Sequence, residues 1–593
     1  MKKNKIIFSI ASCLLFAFFG CTKKLDIVPL NQITSAAVWQ DVSLMQAYVN
    51  DVYIGIGLGE FHSTSGMSSL TDEGMWTSGG KPIVQSTITS SNLDILGGSR
   101  FSYLVWGTLY SYIRKCNAFL ENTMNSPVTD QAQLDRLKGE IHFLRSYYYH
   151  NLMRVNGGVP LITKVYGLHD STSIARNTFA ETINFIVKDA DSAVALLPLS
   201  YSGAEVGRIT KGAALALKAR VLLYAASDLY NINPSGKPEF GYTDGGSGQM
   251  SRWQAARDAA KAVMDMGIYE LYSADPAPGD STAKNYSDLF LSKTNKEIIM
   301  NRFTSIDNEA PNVARWFSPN GYDGYGENSP IQQMVDSYRM KDGSKFSWDN
   351  PEQAAHPYEN RDPRFYATVF YDGAHWRERW ADGKPFDPVG IIQAFKTLTL
   401  PNGSVLAGID TRYGPIQSWN GSYTNYYLRK FVDPTNNLLS SAQEIPWPFF
   451  RYAEILLNYA EASIELGIEE DARDALNQIR RRAGMPEFTA ALTGTELRDE
   501  YRNERKVEMA FEQQRFFDVR RWMIAPQAMN EDGKGIEISV KATDRADRST
   551  YHDYQYKVID VQPRHWDDKM YFVPIPFAEM KRNPLLVQAP GFD

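Results

Sequence analysis

Cysteine is nearly missing from this chain of 593 residues: there are three, and Cys13 and Cys21 lie in the first segment, leaving Cys116 alone in the body. An intramolecular disulfide framework is thereby excluded, and Cys116 is expected to be buried. Histidine is scarce too. The eight, His62, His142, His150, His169, His356, His375, His552 and His565, show no H-E-x-x-H or other close metal-ligand spacing, and there is no G-x-S-x-G. No metal, no cofactor and no catalytic residue is therefore assigned. Positive charge is not in excess. The net charge is -7 and the pI near 5.8, which excludes the clustered cationic surface that nucleic acid needs as a partner. The basic run Arg480-Arg481-Arg482 is expected on a helix surface. Gly55, Gly57 and Gly59 are spaced G-x-G-x-G with no strand-then-helix unit around them, so they read as a turn and not as a phosphate loop.

What is present begins at the N-terminus. Lys2, Lys3 and Lys5 precede an apolar run from Ile6 to Phe19, the layout of a secretory signal and short for a membrane span. The run ends at Gly20-Cys21. A small residue followed by Cys is what a bacterial lipoprotein signal peptidase reads, which leaves Cys21 as the acylated first residue of the mature chain. Phe18 and Phe19 depart from the Leu and Ala or Ser commoner at those positions. Several acyl chains would hold the protein stably at a membrane.

The body is organised by helical periodicity. From Arg451, Tyr452, Ile455, Leu456, Tyr459 and Ala460 make one apolar stripe; Ala472, Ala475, Leu476, Ile479 and Ala483 make a second, with Leu466-Gly467 supplying the turn. The unit has the length of a tetratricopeptide hairpin, roughly 34 residues, and needs neighbours to bury its second face. A second Ala-rich hairpin runs from Gly207-Arg208-Ile209-Thr210 to about Ser227 and from Trp253 to Met266. Further helices are predicted from Trp106 to Leu120, from Gly139, over Thr178 to Leu197 with Pro198 as the stop, and from Thr495 to Trp522. The fold class is all-α, an α-α superhelix of tetratricopeptide-like hairpins with little β. Between Asp275 and Pro446 periodicity fades and Gly, Pro, Asp, Asn and aromatic residues thicken. A bare loop of that length is out of place in a compact domain, so it is expected to fold as a lobe. The organisation expected is therefore a signal peptide at 1–20, an N-terminal helical region at 21–274, a loop-rich ligand-binding lobe at 275–446 and a C-terminal helical region at 447–593.

Paired carboxylates recur by chance among 69 acids. Asp72-Glu73 is thus no glycosidase pair on sequence grounds, and Glu469-Glu470-Asp471 reads as a helix start. Arg145, Arg208, Arg451, Arg505 and Glu508 lie in or beside apolar helical runs and are expected to be paired. In Arg361-Asp362-Pro363-Arg364, Asp362 is expected to cap the chain before Pro363 while the arginines brace loops. Trp106, Trp253, Trp522 and Tyr147-Tyr148-Tyr149 fall on helical patterns and read as core. Trp76, Trp316, Tyr322, Tyr325, Trp376, Trp380, Trp419 and Tyr423 fall outside them, mostly amid Gly, Asn and Asp. Flat rings rimmed by amides and carboxylates suit sugars, whose C–H faces stack on rings while hydroxyls take hydrogen bonds.

Several stretches together resemble the SusD/RagB family of surface lipoproteins from Bacteroidetes-type nutrient-uptake systems. They are F-L-R-S-Y-Y-Y from Phe143, G-G-V-P-L from Gly157, G-R-I-T-K-G-A-A-L-A-L-K-A-R from Gly207, N-R-D-P-R-F from Asn360, R-Y-A-E-I-L-L-N-Y-A-E-A from Arg451 and N-E-R-K-V-E-M-A-F-E-Q-Q-R-F-F-D-V-R-R-W from Asn503, then P-I-P, N-P-L-L and P-G-F near the end. They run in family order from Cys21 to Asp593, and Gln513-Gln514 stands where Gly-His is common. The resemblance implies a scaffold of four tetratricopeptide-like pairs with a looped lobe carrying the ligand contacts. It further implies a non-catalytic partner of a SusC-like TonB-dependent transporter, handing it oligosaccharides, or peptides in some members. It places the ligand on a platform of Trp76, Trp316, Tyr322 and Tyr325, with Asn320 and Asp323 as polar contacts. Cell-surface display at the outer membrane also comes from the resemblance, since Thr22-Lys23-Lys24-Leu25 carries no acidic cluster. A secreted all-helical enzyme acting on polysaccharide is the alternative from another class.

Overall fold

The structure is a computed structural model, and it describes residues 35–57, 59, 66–77, 79–93, 104–167, 169–273, 284–305, 311–436 and 442–592. The signal segment and Cys21 lie outside the described residues. The protein is 45% helix and 10% strand, and among the described residues no sheet closes on itself. Its frame is a run of antiparallel helices: α1 (Val42–Tyr53), α2 (Trp106–Asn122), α3 (Gln131–Asn156), α4 (Phe179–Leu196), α5 (Lys211–Ala226), α6 (Gln249–Met264), α7 (Tyr452–Glu465), α8 (Glu469–Arg482), α9 (Gly494–Glu508) and α10 (Gln514–Arg521). From α2 to α8 each helix packs on the next, so the apolar stripe left by one hairpin is covered by its neighbour. Among the described residues no helix is long and apolar enough to cross a membrane.

Local chemistry sets the helix ends. The Thr178 side chain accepts from the Glu181 amide at 3.1 Å while Glu181 accepts from the Thr178 amide at 2.9 Å, a reciprocal cap on α4. Thr210 caps α5 through the Ala213 amide. Gly467, at φ +75°, makes the turn between α7 and α8. Acids open α8 and arginines close it, matching its dipole. The arginines do more than that. Arg481 is exposed, but Arg480 and Arg482 turn inward and bind Glu504, Glu297 and Glu508, so the surface expectation for this run is corrected. The helical stretch expected from Thr495 to Trp522 is two helices. It breaks into α9 and α10 at a turn where Phe511 and Gln513 take φ of +61° and +67°.

The chain leaves the helical array after α6 and returns at α7, and these two helices pack side by side. The excursion is pinched at its base by an antiparallel pair, β1 (Ile298–Arg302) against β4 (Trp447–Arg451). Within it, β2 (Thr397–Thr399) pairs with β3 (Val405–Leu406) and lies parallel to β5 (Gly533–Lys541), which in turn pairs with β6 (His552–Gln562). The β5–β6 hairpin has no counterpart in the sequence reading. Its signal was there, since Ile536, Ile538 and Val540 are buried and alternate with Glu537 and Ser539.

Candidate functional site

Three loops of the excursion, 313–330, 376–391 and 409–427, are joined by a buried polar knot. Fully buried Asn320 donates through Nδ2 to the carbonyls of Ile409, Thr411 and Ile416 at 3.1, 3.1 and 2.7 Å, and its Oδ1 accepts from the Tyr427 hydroxyl at 2.7 Å. The Arg379 guanidinium bonds Asp387 at 2.7 Å and Asp410 at 2.8 and 2.6 Å, and lies 3.8 Å above the Tyr322 ring. Tyr322 donates to the Arg377 carbonyl at 2.7 Å. Burial pushes the Tyr322 hydroxyl well above its ordinary range and raises the Asp410 carboxyl even beside Arg379. A knot this fully satisfied fixes the loops that surround it. Gly326, at φ +57°, shows how tightly: a Cβ there would lie 2.6 Å from the Asn420 carbonyl.

On these fixed loops the rings divide. Trp419 is 71% and Tyr423 41% exposed, and Trp316, Tyr325, Trp376 and Trp380 are half-buried. Cations line the rings: Arg412 lies 3.8 Å over Tyr423, Arg315 5.0 Å over Tyr325 and Arg377 4.8 Å over Trp380. Asp323 accepts from the Gln417 side chain, tying the Tyr325 loop to the Trp419 loop. Its carboxyl is raised, first by burial and then by the charge of Asp382.

The platform drawn from the resemblance is rearranged by this geometry. Tyr322 and Asn320 are fully buried and hold loops together instead of facing outward, and Trp76 is only 8% exposed. The Trp76 segment is itself anchored to the lobe: Gly74–Met75 pairs with Ser329–Pro330, and Thr77 donates to the Gly326 carbonyl at 3.0 Å. Of the expected contacts, Tyr325, Asp323, Trp419 and Tyr423 are brought together, with Trp316 next to the Arg315–Tyr325 stack. Trp376 and Trp380 sit on the adjoining loop. Gln417, Asn420 and Arg412, which sequence reasoning passed over, are interleaved with these rings.

Elsewhere, charge serves the frame. Arg145 binds Asp189, Arg208 binds Glu140, and Arg505 binds Asp518. Asp362 caps the helix Pro363–Thr368, and Arg361 donates to the carbonyls of Pro357, Val335 and Tyr338. Asp72 and Glu73 have the split acidity of a catalytic pair, since Arg515 and Lys506 hold Asp72 down while burial pushes Glu73 up to about 8. Both are buried, Asp72 against Lys506 of α9 and Arg515 of α10. Among the described residues no group of three or more His, Cys, Asp or Glu is placed to hold a metal ion.

A solenoid of helical hairpins, interrupted by a lobe whose fixed loops carry rings to the surface, defines the class as an α-helical scaffold protein. The chain belongs to the SusD family, whose model matches residues 288–592. A second family, described as starch-binding associating with outer membrane, matches residues 35–223. A SusD-like protein of Formosa agariphila is 22% identical over 97% of this chain and 96% of its own length. A solved SusD-like protein of Bacteroides fragilis is 29% identical with a TM-score of 0.72, covering 95% of this chain and 99% of that one. A SusD-like carbohydrate-binding protein of the same species is 23% identical with a TM-score of 0.68, covering 93% and 99%.

Proposed function

We propose that this protein is a non-catalytic, lipid-anchored outer-membrane protein that binds an oligosaccharide and delivers it to a SusC-like TonB-dependent transporter. The observation that carries the glycan reading is the pair of exposed rings, Trp419 and Tyr423, held on loops locked by the Asn320–Arg379–Asp410 knot. An indole 71% exposed is costly to keep in water, and its face suits the C–H side of a pyranose. Asp323, Gln417, Asn420 and Arg412 surround it with partners for hydroxyls. Family membership supports the partner and the membrane, and Gly20-Cys21 supports the anchor.

The test is a glycan panel screened by affinity electrophoresis and followed by calorimetry on each hit. In the Trp419→Ala, Tyr423→Ala double variant, affinity for the cognate glycan falls at least about tenfold, or roughly 1.4 kcal/mol, with the melting temperature unchanged. Undiminished binding overturns this site, and turnover of any glycan by purified wild-type protein overturns the non-catalytic reading.

A further inference from the structure

A cavity of about 370 Å³ opens beside the helix Pro363–Thr368 and is lined by Lys341, Arg361, Tyr366, Tyr371, His375 and Arg429 among others. In a chain of net charge -7, none of its lining residues is an acid. Arg429 is half-buried there. One of its nitrogens donates to the Tyr366 carbonyl at 3.0 Å, and among the described residues no carboxylate comes within ion-pairing distance. Its guanidinium lies 5.6 Å from the Trp376 ring and 5.7 Å from Phe370. Burial lowers its pKa with only Tyr371 opposing, the mark of a cation short of a counter-charge.

The other cations of the cavity make no ion pair among the described residues. Arg361 is buried and spends its guanidinium on three carbonyls, with Asp336 as a more distant counter-charge, and Lys341 is exposed. By contrast Arg364, three residues from Arg361, binds Asp362, Glu504 and Glu508. Nearby acids are engaged elsewhere: Asp372 with Arg548, Asp362 with Arg364, and exposed Glu359 with His356 at 3.2 Å. A neighbouring cleft of about 540 Å³ shares Lys341 and Asn360 and adds three acids, Asp342, Glu352 and Glu359, with Asn350, Gln353 and His356, so it suits the uncharged part of a ligand. Its amides and carboxylates suit hydroxyls.

We propose that the cavity between Lys341 and Arg429 is a charge-selective subsite for the carboxylate or sulfate ester of an acidic saccharide, with the adjoining cleft taking the neutral residues of the same chain. The proposal rests on the glycan reading above and adds a substrate class to it. The Arg429 fork meets the oxyanion, Lys341 adds a second charge from the rim, and Tyr371 and Tyr366 wall the sugar.

Calorimetry with a xylotriose carrying one glucuronate and with a sulfated carrageenan tetrasaccharide, each against its carboxyl-reduced or desulfated counterpart, tests this. Wild-type protein binds at least one acidic probe about tenfold more tightly than its neutral counterpart, and added salt erodes the difference. Arg429→Gln abolishes the preference and Arg429→Lys keeps part of it. Lys341→Gln, on an exposed side chain that cannot unfold the protein, reduces it about threefold or more. Preference for one probe alone decides between carboxylate and sulfate. Absence of binding to both acidic probes overturns the proposal, as does equal affinity for acidic and neutral chains, or a preference that survives both Gln variants. Neutral glycans that still bind through Trp419 and Tyr423 would leave the glycan reading standing while this one falls.

Discussion

Asp72 and Glu73 are chain neighbours with opposite fates. Asp72 is bonded by Arg515 and Lys506 at 2.8 and 2.9 Å and stays ionised. Glu73 accepts only the Phe511 amide, at 3.2 Å, and its second oxygen has no partner. Burial, aided by the charge of Asp72, pushes its pKa up to about 8 from a reference of 4.5. The folded chain therefore binds more protons than the unfolded chain across that window, and this group's contribution is fully present below pH 4.5 and lost as pH rises to 8. Glu73→Gln mimics the protonated acid. It should match wild type in stability near pH 5 and exceed it by about 1–3 kcal/mol at pH 8, measured by urea unfolding. A stability difference that is flat between those pH values would show that Glu73 is ionised in the fold.

At the scale of elements, the joints between helices are electrostatic. Five cations, Arg364, Lys430, Arg451, Arg480 and Arg482, meet five carboxylates, Glu297, Asp362, Glu504, Glu508 and Glu512, in one buried network drawn from α8, α9, β4 and the lobe. Its charges balance. Glu508 is its hub, touching Arg364 at 3.0 Å, Arg451 at 2.7 Å and Arg482. Those arginines hold its carboxyl far below the usual range, although burial opposes them. Glu508→Gln would strand buried guanidinium charge, and a loss of about 3–5 kcal/mol in denaturant unfolding is expected; a loss under 1 kcal/mol would mean that water reaches the network. Paired charges in apolar runs were legible from the sequence, as at Arg451 and Arg505, because an ion inside an apolar stripe has few other options. Which end of Arg480-Arg481-Arg482 turns inward was not, since that depends on where α9 lies. The hairpins were legible because their stripes follow the helical period. The break at 509–513 was hidden by residues with no turn signature: Gln513 adopts φ +67°, a conformation that the family's common Gly would take without strain. For the rings, composition located the lobe but could not separate buried Tyr322 from exposed Trp419, because both sit among Gly and Asn.

At the scale of the molecule, the lobe is an interruption of a continuous solenoid, and every tie at its base crosses to the frame. Glu297 before β1 and Arg451 at the end of β4 are bonded at 2.8 Å, Lys430 reaches Glu512 at 2.8 Å, and β2 lies against β5 of the C-terminal hairpin. Cutting out the lobe would take Arg364 from Glu508 and Lys430 from Glu512, leaving the buried carboxylates in excess, and would open the edge of β5 that β2 covers. The lobe and array are therefore expected to unfold together. Urea transitions followed by tryptophan fluorescence, to which Trp316, Trp348, Trp376, Trp380 and Trp419 of the lobe contribute beside seven tryptophans elsewhere, should coincide in a single step with those followed by far-UV circular dichroism, which reports the array. Replacing residues 303–446 by a short linker should give no folded helical remainder, and a soluble, cooperatively melting remainder would prove the lobe a separable domain. The same ties bear on delivery: among the described residues the ring-bearing loops are tied to the lobe and the lobe to the frame. In the proposed role a captured saccharide thus moves only as the whole body moves over its transporter.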